Sequence, residues 1–148
     1  PERLLVTDAP TFSATLNIEA VNSSNERAHH FSTRRRTTAQ RDATKLVLFR
    51  SLGFSAVRSL LEAGITVVLT RIAPRKLDDD GNVTSLKAVR DGVADALGLP
   101  NDKDPRVTFL YAQERGGVRA YSVRVDISPR WTCPWCLSVV AHPVEVKS

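Results

Sequence analysis

The chain has 148 residues, of which 42% are hydrophobic and 25% are charged, a composition typical of one globular domain with a buried core. No apolar run is long enough to span a bilayer, and the first residues lack the layout of a secretion signal, so we expect a cytoplasmic protein. The net charge of +5 favours an anionic partner, of which phosphate is the usual one.

The first half of the chain predicts two strands separated by helical sequence. In residues 12–20, apolar and polar side chains alternate, which is typical of a half-buried strand. Residues 34–52 have apolar side chains at helical spacing, and Gly53 follows as a helix terminator. Residues 54–64 either extend this helix or form a loop that covers it. Residues 65–72 are apolar and β-branched, which indicates a buried strand.

The second half predicts one helix and two further strands. The helix spans residues 83–97, with Asn82 as its N-cap and Gly98 beyond its end. Residues 107–113 and 118–127 look like the two strands of a hairpin around a Gly-rich turn. The predicted order is therefore β-α-β-α-β-β, an α+β fold in which two main helices pack on one face of a small mixed sheet.

Three aspartates are candidate ligands of a metal ion. If residues 78–80 are extended, Asp78 and Asp80 point to the same side, and Mg²⁺ relieves the repulsion between two such carboxylates. We expect the helix to return the chain along the sheet and to bring Asp104 beside them. Lys87 is then close enough to stabilise a phosphate at the ion. The alternative is an ordinary exposed turn, because runs of Asp, Gly and Asn are also typical of turns.

Residues 73–80, 86–92 and 102–107 resemble the RusA-like Holliday junction resolvases of phages and prophages. The resemblance implies a RusA-like fold and a homodimer that nicks four-way DNA junctions symmetrically with Mg²⁺ or Mn²⁺. It also implies that the catalytic residues are the metal ligands Asp78, Asp80 and Asp104 together with the phosphate-binding Lys87.

One departure from the family leaves the ligand set open. The family usually has Asn directly after the second Asp, whereas this chain has Gly81 there and Asn one place later. Asp79 is therefore an alternative to its two neighbours, and Asp102 is an alternative to Asp104.

Basic residues form a second candidate site, for the phosphate backbone of DNA. Their side chains supply affinity with little sequence preference. The alternative is a solvated helix end. The candidates are Arg27, Arg34, Arg35, Arg36, Arg41, Arg75 and Lys76.

A Cys-x-x-Cys motif, Cys133 and Cys136, lies in the C-terminal tail that we assign to residues 129–148, after a nuclease domain of residues 1–128. A structural Zn²⁺ normally requires four ligands, and with His142 the tail offers three. Two free thiols are the default expectation, and redox chemistry is a further alternative.

Three functions follow from these observations. The leading hypothesis is an endonuclease that resolves branched DNA as a homodimer in a bacterial or phage-infected cell. The alternative is a non-catalytic DNA-binding module whose aspartates are structural. The third is a small metal or redox protein built around the cysteine pair.

Overall fold

A computed structural model of the protein describes residues 12–22, 30–51 and 53–130. These residues form four strands and four α-helices, with one 3-10 turn at Leu61–Ala63. In chain order they are β1 (Phe12–Leu16), α1 (His30–Arg50), α2 (Phe54–Ser59), β2 (Ile65–Ala73), α3 (Asp79–Ser85), α4 (Lys87–Leu97), β3 (Val107–Arg115) and β4 (Ser122–Pro129). Within this described part of the chain, no helix has the length and apolar character needed to cross a membrane.

The strands form one mixed sheet in the order β1-β4-β2-β3. Strands β2 and β3 are parallel, and β4 is antiparallel to both β1 and β2. The long helices pack against the face that carries the buried side chains Val67, Leu69, Val125 and Ile127. The predicted fold class, an α+β fold with helices packed on a small mixed sheet, is confirmed.

The predicted hairpin between the last two strands is wrong. Strands β3 and β4 lie on opposite sides of β2 and do not pair with each other. Residues 116–121 carry the chain across the end of β2, where the Gly116 N–H donates to the Ala73 carbonyl oxygen at 2.9 Å. Because β2 is buried, its backbone needs hydrogen-bonding partners on both edges, and β3 and β4 each satisfy one edge.

The helix boundaries also differ from the prediction. Helix α1 begins at His30, so its three consecutive arginines lie one turn inside the helix instead of opening it. The single helix predicted for residues 83–97 is two helices, α3 and α4, which meet at Leu86. Asn82 lies inside α3, where its side-chain amide donates to the Ala112 carbonyl oxygen, so it is not the N-cap. Gly98 ends α4 in the left-handed conformation, as predicted.

Helix α1 packs closely on α4 at a glycine. A Cβ atom added at Gly92 would lie 2.6 Å from the Arg41 carbonyl oxygen and 2.7 Å from the Thr44 Cβ. Beside this contact the Arg41 guanidinium donates two hydrogen bonds to the Asp95 carboxylate, at 2.6 and 2.8 Å. The absence of a side chain at Gly92 therefore sets the distance between the two helices.

Candidate functional site

Two loops meet at the edge of the sheet where β2 and β3 end. Residues 74–78 leave β2 there, and residues 116–121 leave β3 beside them, because Ala73 pairs with Arg115 in the parallel register. The Gln113 side chain holds the first loop: its oxygen accepts from the Leu77 N–H at 2.8 Å, and its amide nitrogen donates to the Leu77 carbonyl oxygen at 2.7 Å. One side chain thus positions the residue that precedes the aspartates.

A buried arginine also holds this loop in place by hydrogen bonding. Arg71 lies on β2 and is 6% exposed. Its guanidinium donates to the carbonyl oxygens of Ala20 and Arg75, both at 2.8 Å. Burial lowers the pKa of Arg71 from its ordinary value. Neither Arg71 nor Gln113 was identified from the sequence, since an Arg or Gln on a strand has no pattern that reveals its partners.

Asp78 is the N-cap of α3. Its backbone is extended, and its Oδ1 accepts a hydrogen bond from the Gly81 N–H at 2.8 Å. A Cβ atom at Gly81 would overlap that same oxygen, so a larger residue at this position would require the Asp78 side chain to shift.

The predicted extended conformation of residues 78–80 is wrong. Only Asp78 is extended, whereas Asp79 and Asp80 form the first turn of α3. The two-residue alternation that was expected to align Asp78 with Asp80 therefore does not apply. All three side chains are exposed, and within the described residues neither Asp79 nor Asp80 uses its carboxylate in a hydrogen bond or ion pair.

Within one chain Asp104 does not join the other predicted ligands, contrary to the prediction. Asp104 lies just before β3, whereas Asp78 and Asp80 follow the loop that the Gln113 side chain holds near the end of that strand. The distance from Val107 to Gln113 along β3 is about 20 Å. Helices α3 and α4 return the chain to the start of a parallel strand, so residues after them lie at the opposite edge from residues after β2.

Both later aspartates are engaged with arginines. Asp104 is buried and accepts from the Arg106 Nε and Nη2, at 3.0 and 2.9 Å, and from the Arg106 backbone N–H at 3.0 Å. The side-chain hydrogen bonds from Arg106, followed by the backbone bond, lower the pKa of Asp104 to about 2. Its rival Asp102 pairs with Arg90 at 2.7 Å. In the described parts of the chain, no three His, Cys, Asp or Glu side chains are grouped so that they could hold a metal ion.

The edge that carries the aspartates is also rich in cations. Arg75 and Lys76 lie on the first loop, Arg115 ends β3, and Arg119 lies on the second loop with a φ of 59°. All four side chains are exposed, and none forms an ion pair with a described residue. We call these four residues the cationic edge. Arg115 and Arg119 were not identified from the sequence, because they are about 40 residues from Arg75 and only the register of β2 with β3 brings them together.

The other predicted cations differ from these four in their location, and some also in exposure or ion pairing. Lys87 is exposed at the start of α4. On α1, Arg34 and Arg35 are exposed and Arg36 is half-buried, while Arg41 is paired with Asp95, which raises its pKa. Arg27 and the motif at Cys133 and Cys136 lie outside the described residues, so their predicted roles are unaffected by the structure.

In three comparisons with known proteins, no family model, no curated protein and no solved structure matched this chain. The resemblance to RusA-like resolvases therefore rests on the quoted motifs, and the roles it implies stay predictions.

Proposed function

We propose that this chain is a Mg²⁺- or Mn²⁺-dependent endonuclease that cuts branched DNA, with four-way junctions as its substrate class, and that it acts in the cytoplasm as a homodimer. The observation that carries the proposal is the shared location of Asp78, Asp79 and Asp80 with the cationic edge, at one end of the sheet. Cations without acidic partners suit the phosphate backbone, and exposed carboxylates suit a hard divalent cation.

The residues at this edge have distinct roles in the proposal. Arg75, Lys76, Arg115 and Arg119 bind phosphates and hold the DNA strand across the loops. Asp80 binds the ion, together with Asp79 or the Oδ2 atom of Asp78, which does not take part in the cap. Mg²⁺ is commonly bound by one or two protein carboxylates, with waters and substrate phosphates completing its shell, so a centre without Asp104 is chemically sufficient.

The ion, when bound, would lower the pKa of a water and polarise the scissile phosphate. The contribution of the chain is to orient that phosphate against the carboxylates. Lys87 donates to a phosphate oxygen and stabilises the charge that develops on it. Gln113 and Arg71 position the loop and do not touch the DNA.

A second candidate function, a DNA-binding module without catalysis, is favoured by the two engaged aspartates. Asp78 uses one oxygen to cap α3, and Asp104 is neutralised by Arg106. In this case the same cationic edge binds DNA, and the aspartates stabilise the fold.

Cleavage of a labelled four-way junction by the full chain separates the two functions. The endonuclease cuts with Mg²⁺ and not with EDTA. Asp80→Asn and Lys87→Ala each abolish cutting. Their affinity for the junction, measured in EDTA, stays within a few-fold of that of the unmodified chain. Glu62→Gln, the same kind of change at an exposed carboxylate away from this edge, is the matched control and retains cutting. If both Asp80→Asn and Lys87→Ala still cut, the assigned site is wrong, and if the unmodified chain binds but never cuts, the second candidate is correct.

Salt-dependent binding tests the cationic edge itself. Arg115→Ala and Arg119→Ala weaken junction binding uniformly across sequences and reduce the slope of log affinity against log salt by about one each. Arg58→Ala, which removes an exposed arginine from α2, is the control and leaves both quantities unchanged. Equal slopes for all three variants would place the DNA elsewhere on the protein.

A further inference from the structure

Helix α1 contributes little to the core for its length. It has 21 residues, or about 32 Å of helix. Among its described side chains only Thr44 and Leu48 are buried. In contrast, Phe31 is 70% exposed and Leu46 is 49% exposed. The described part of the fold therefore covers only a narrow stripe of this helix, and most of its other side chains are exposed.

Two of the exposed apolar side chains of α1, Phe31 and Leu46, belong to one continuous stripe, whereas Val47 lies off this side and Phe49 packs on Phe54. Successive members are three or four residues apart, except for the adjacent Thr38 and Ala39, so they lie along one side of the helix, opposite the buried Thr44 and Leu48. We call this side the outer stripe of α1. It consists of Phe31, Arg35, Thr38, Ala39, Asp42 and Leu46.

The middle of the outer stripe is concave. Thr38 and Ala39 are small, and they lie between the bulky side chains near the two ends. The groove there has a volume of about 450 Å³ and is also lined by Phe31, Arg34, Arg35 and Asp42. Small residues at the centre of a helix surface let a second helix approach closely, and large residues at the ends then pack against it.

The outer stripe is complementary to itself. When two copies of α1 are placed antiparallel about a two-fold axis midway between Thr38 and Ala39, these two residues face each other across the axis. The same symmetry places Arg35 opposite Asp42 and Phe31 opposite Leu46, each twice. Neither Arg35 nor Asp42 has an ion-pair partner in the part of the chain that the structure describes. A two-fold contact requires this reciprocity, in which each residue meets its counterpart on the other copy.

We propose that two copies of this chain associate through the outer stripe of α1, antiparallel, with reciprocal Arg35–Asp42 ion pairs. DNA is a less suitable occupant, because Asp42 would repel phosphate at the centre of the stripe and Phe31 and Leu46 would lie against a charged backbone. This inference rests on the proposed function for the homodimer, whose contact it specifies, but it does not depend on the nuclease activity. It assigns Arg35 to the contact between subunits instead of to DNA.

Charge reversal tests the register. Arg35→Asp places two like charges in contact twice per dimer, as does Asp42→Arg, so each weakens self-association by at least about tenfold. The double variant Arg35→Asp/Asp42→Arg restores both pairs and returns the dissociation constant to within about threefold of the unmodified chain. Arg58→Asp is the control and has no effect. Sedimentation velocity over a concentration series measures the constant, and circular dichroism checks that each variant is folded, as expected for exposed positions.

Several results would overturn the proposal. They are a chain that stays monomeric at every concentration, a dimer that neither single reversal weakens, and a double variant that does not recover. If Arg35→Asp lowers the affinity for the junction without changing self-association, the outer stripe binds DNA and the proposal is wrong.

Cross-linking tests the orientation separately. In a Cys133→Ser/Cys136→Ser background, Ala39→Cys gives a disulfide-linked dimer under mild oxidation, because the two cysteines lie beside the axis. Arg50→Cys does not cross-link, since antiparallel helices hold their ends apart. If both variants cross-link, the two helices are parallel. If neither variant cross-links, the proposed contact is excluded.

Discussion

Replacing Gly92 by alanine tests how closely α1 and α4 pack, because two effects of known sign oppose each other there. Alanine is favoured over glycine inside a helix by about 1 kcal/mol. Against this, the added Cβ would lie 2.6 Å from the Arg41 carbonyl oxygen and 2.7 Å from the Thr44 Cβ. Ordinary heavy-atom contacts are about 3.5–4.0 Å, so the helices must separate by about 1 Å.

Overpacking of this kind costs about 2 kcal/mol, which exceeds the gain in helix propensity, so we expect Gly92→Ala to lower the free energy of unfolding by about 1 kcal/mol. The Arg41–Asp95 pair beside the contact changes this balance little, because Arg41 is 47% exposed and exposed ion pairs contribute little to stability.

Urea unfolding followed by circular dichroism measures the effect as a shift in the midpoint. Ala43→Gly, at an exposed position of α1, calibrates the propensity term alone and should cost about 1 kcal/mol. A higher urea midpoint for Gly92→Ala than for the unmodified chain would refute the reasoning, since it would mean that the backbone of α1 does not limit the space at Gly92.

Two further substitutions test the loop and the buried carboxylate. Gln113→Glu keeps the acceptor for the Leu77 N–H but turns an anionic oxygen toward the Leu77 carbonyl oxygen. At neutral pH it should therefore lower the free energy of unfolding, measured in urea, by about 1–3 kcal/mol and speed hydrogen exchange of the Leu77 amide. Unchanged exchange would show that Gln113 does not hold the loop through Leu77. The pKa of Asp104 is lowered from 3.8 to about 2 by its hydrogen bonds to Arg106, so the stability that ionised Asp104 contributes is fully present above about pH 4 and is lost as the pH falls through 2. The difference in unfolding free energy between the unmodified chain and Asp104→Asn should therefore shrink from pH 5 to pH 2, and a constant difference over that range would show that the ion pair is not formed.

Much of the local structure could be predicted because it depends on neighbouring residues. The β-branched run that begins at Ile65 is a buried strand, since its side chains pack well only on a pleated, covered surface. Gly98 ends α4 because only glycine adopts a φ of 71° without strain. The order of strands and helices follows from such local patterns, and with it the α+β class.

The candidate site could be predicted only in part. The sequence indicated that residues 78–80 lie between β2 and a helix, but it could not show that Asp78 caps that helix, because the competing Asn82 had an equally suitable side chain. It also could not show that Arg115 and Arg119 lie beside Arg75, since this depends on which strand pairs with β2.

The sequence alone therefore determined the approximate positions of the four strands and of the two long helices, and which residues are available for metal and phosphate chemistry. It left α2 open between a helix and a loop, and it merged α3 with α4. The tertiary structure decided which of these residues meet. It put β4 on the far side of β2 from β3, placed four cations at the same end of the sheet as the aspartates, and left Asp104 at the opposite edge. The physical reason is that periodicity records only which side of an element is buried, whereas neighbours are selected by backbone hydrogen bonding and by packing between residues far apart in the chain.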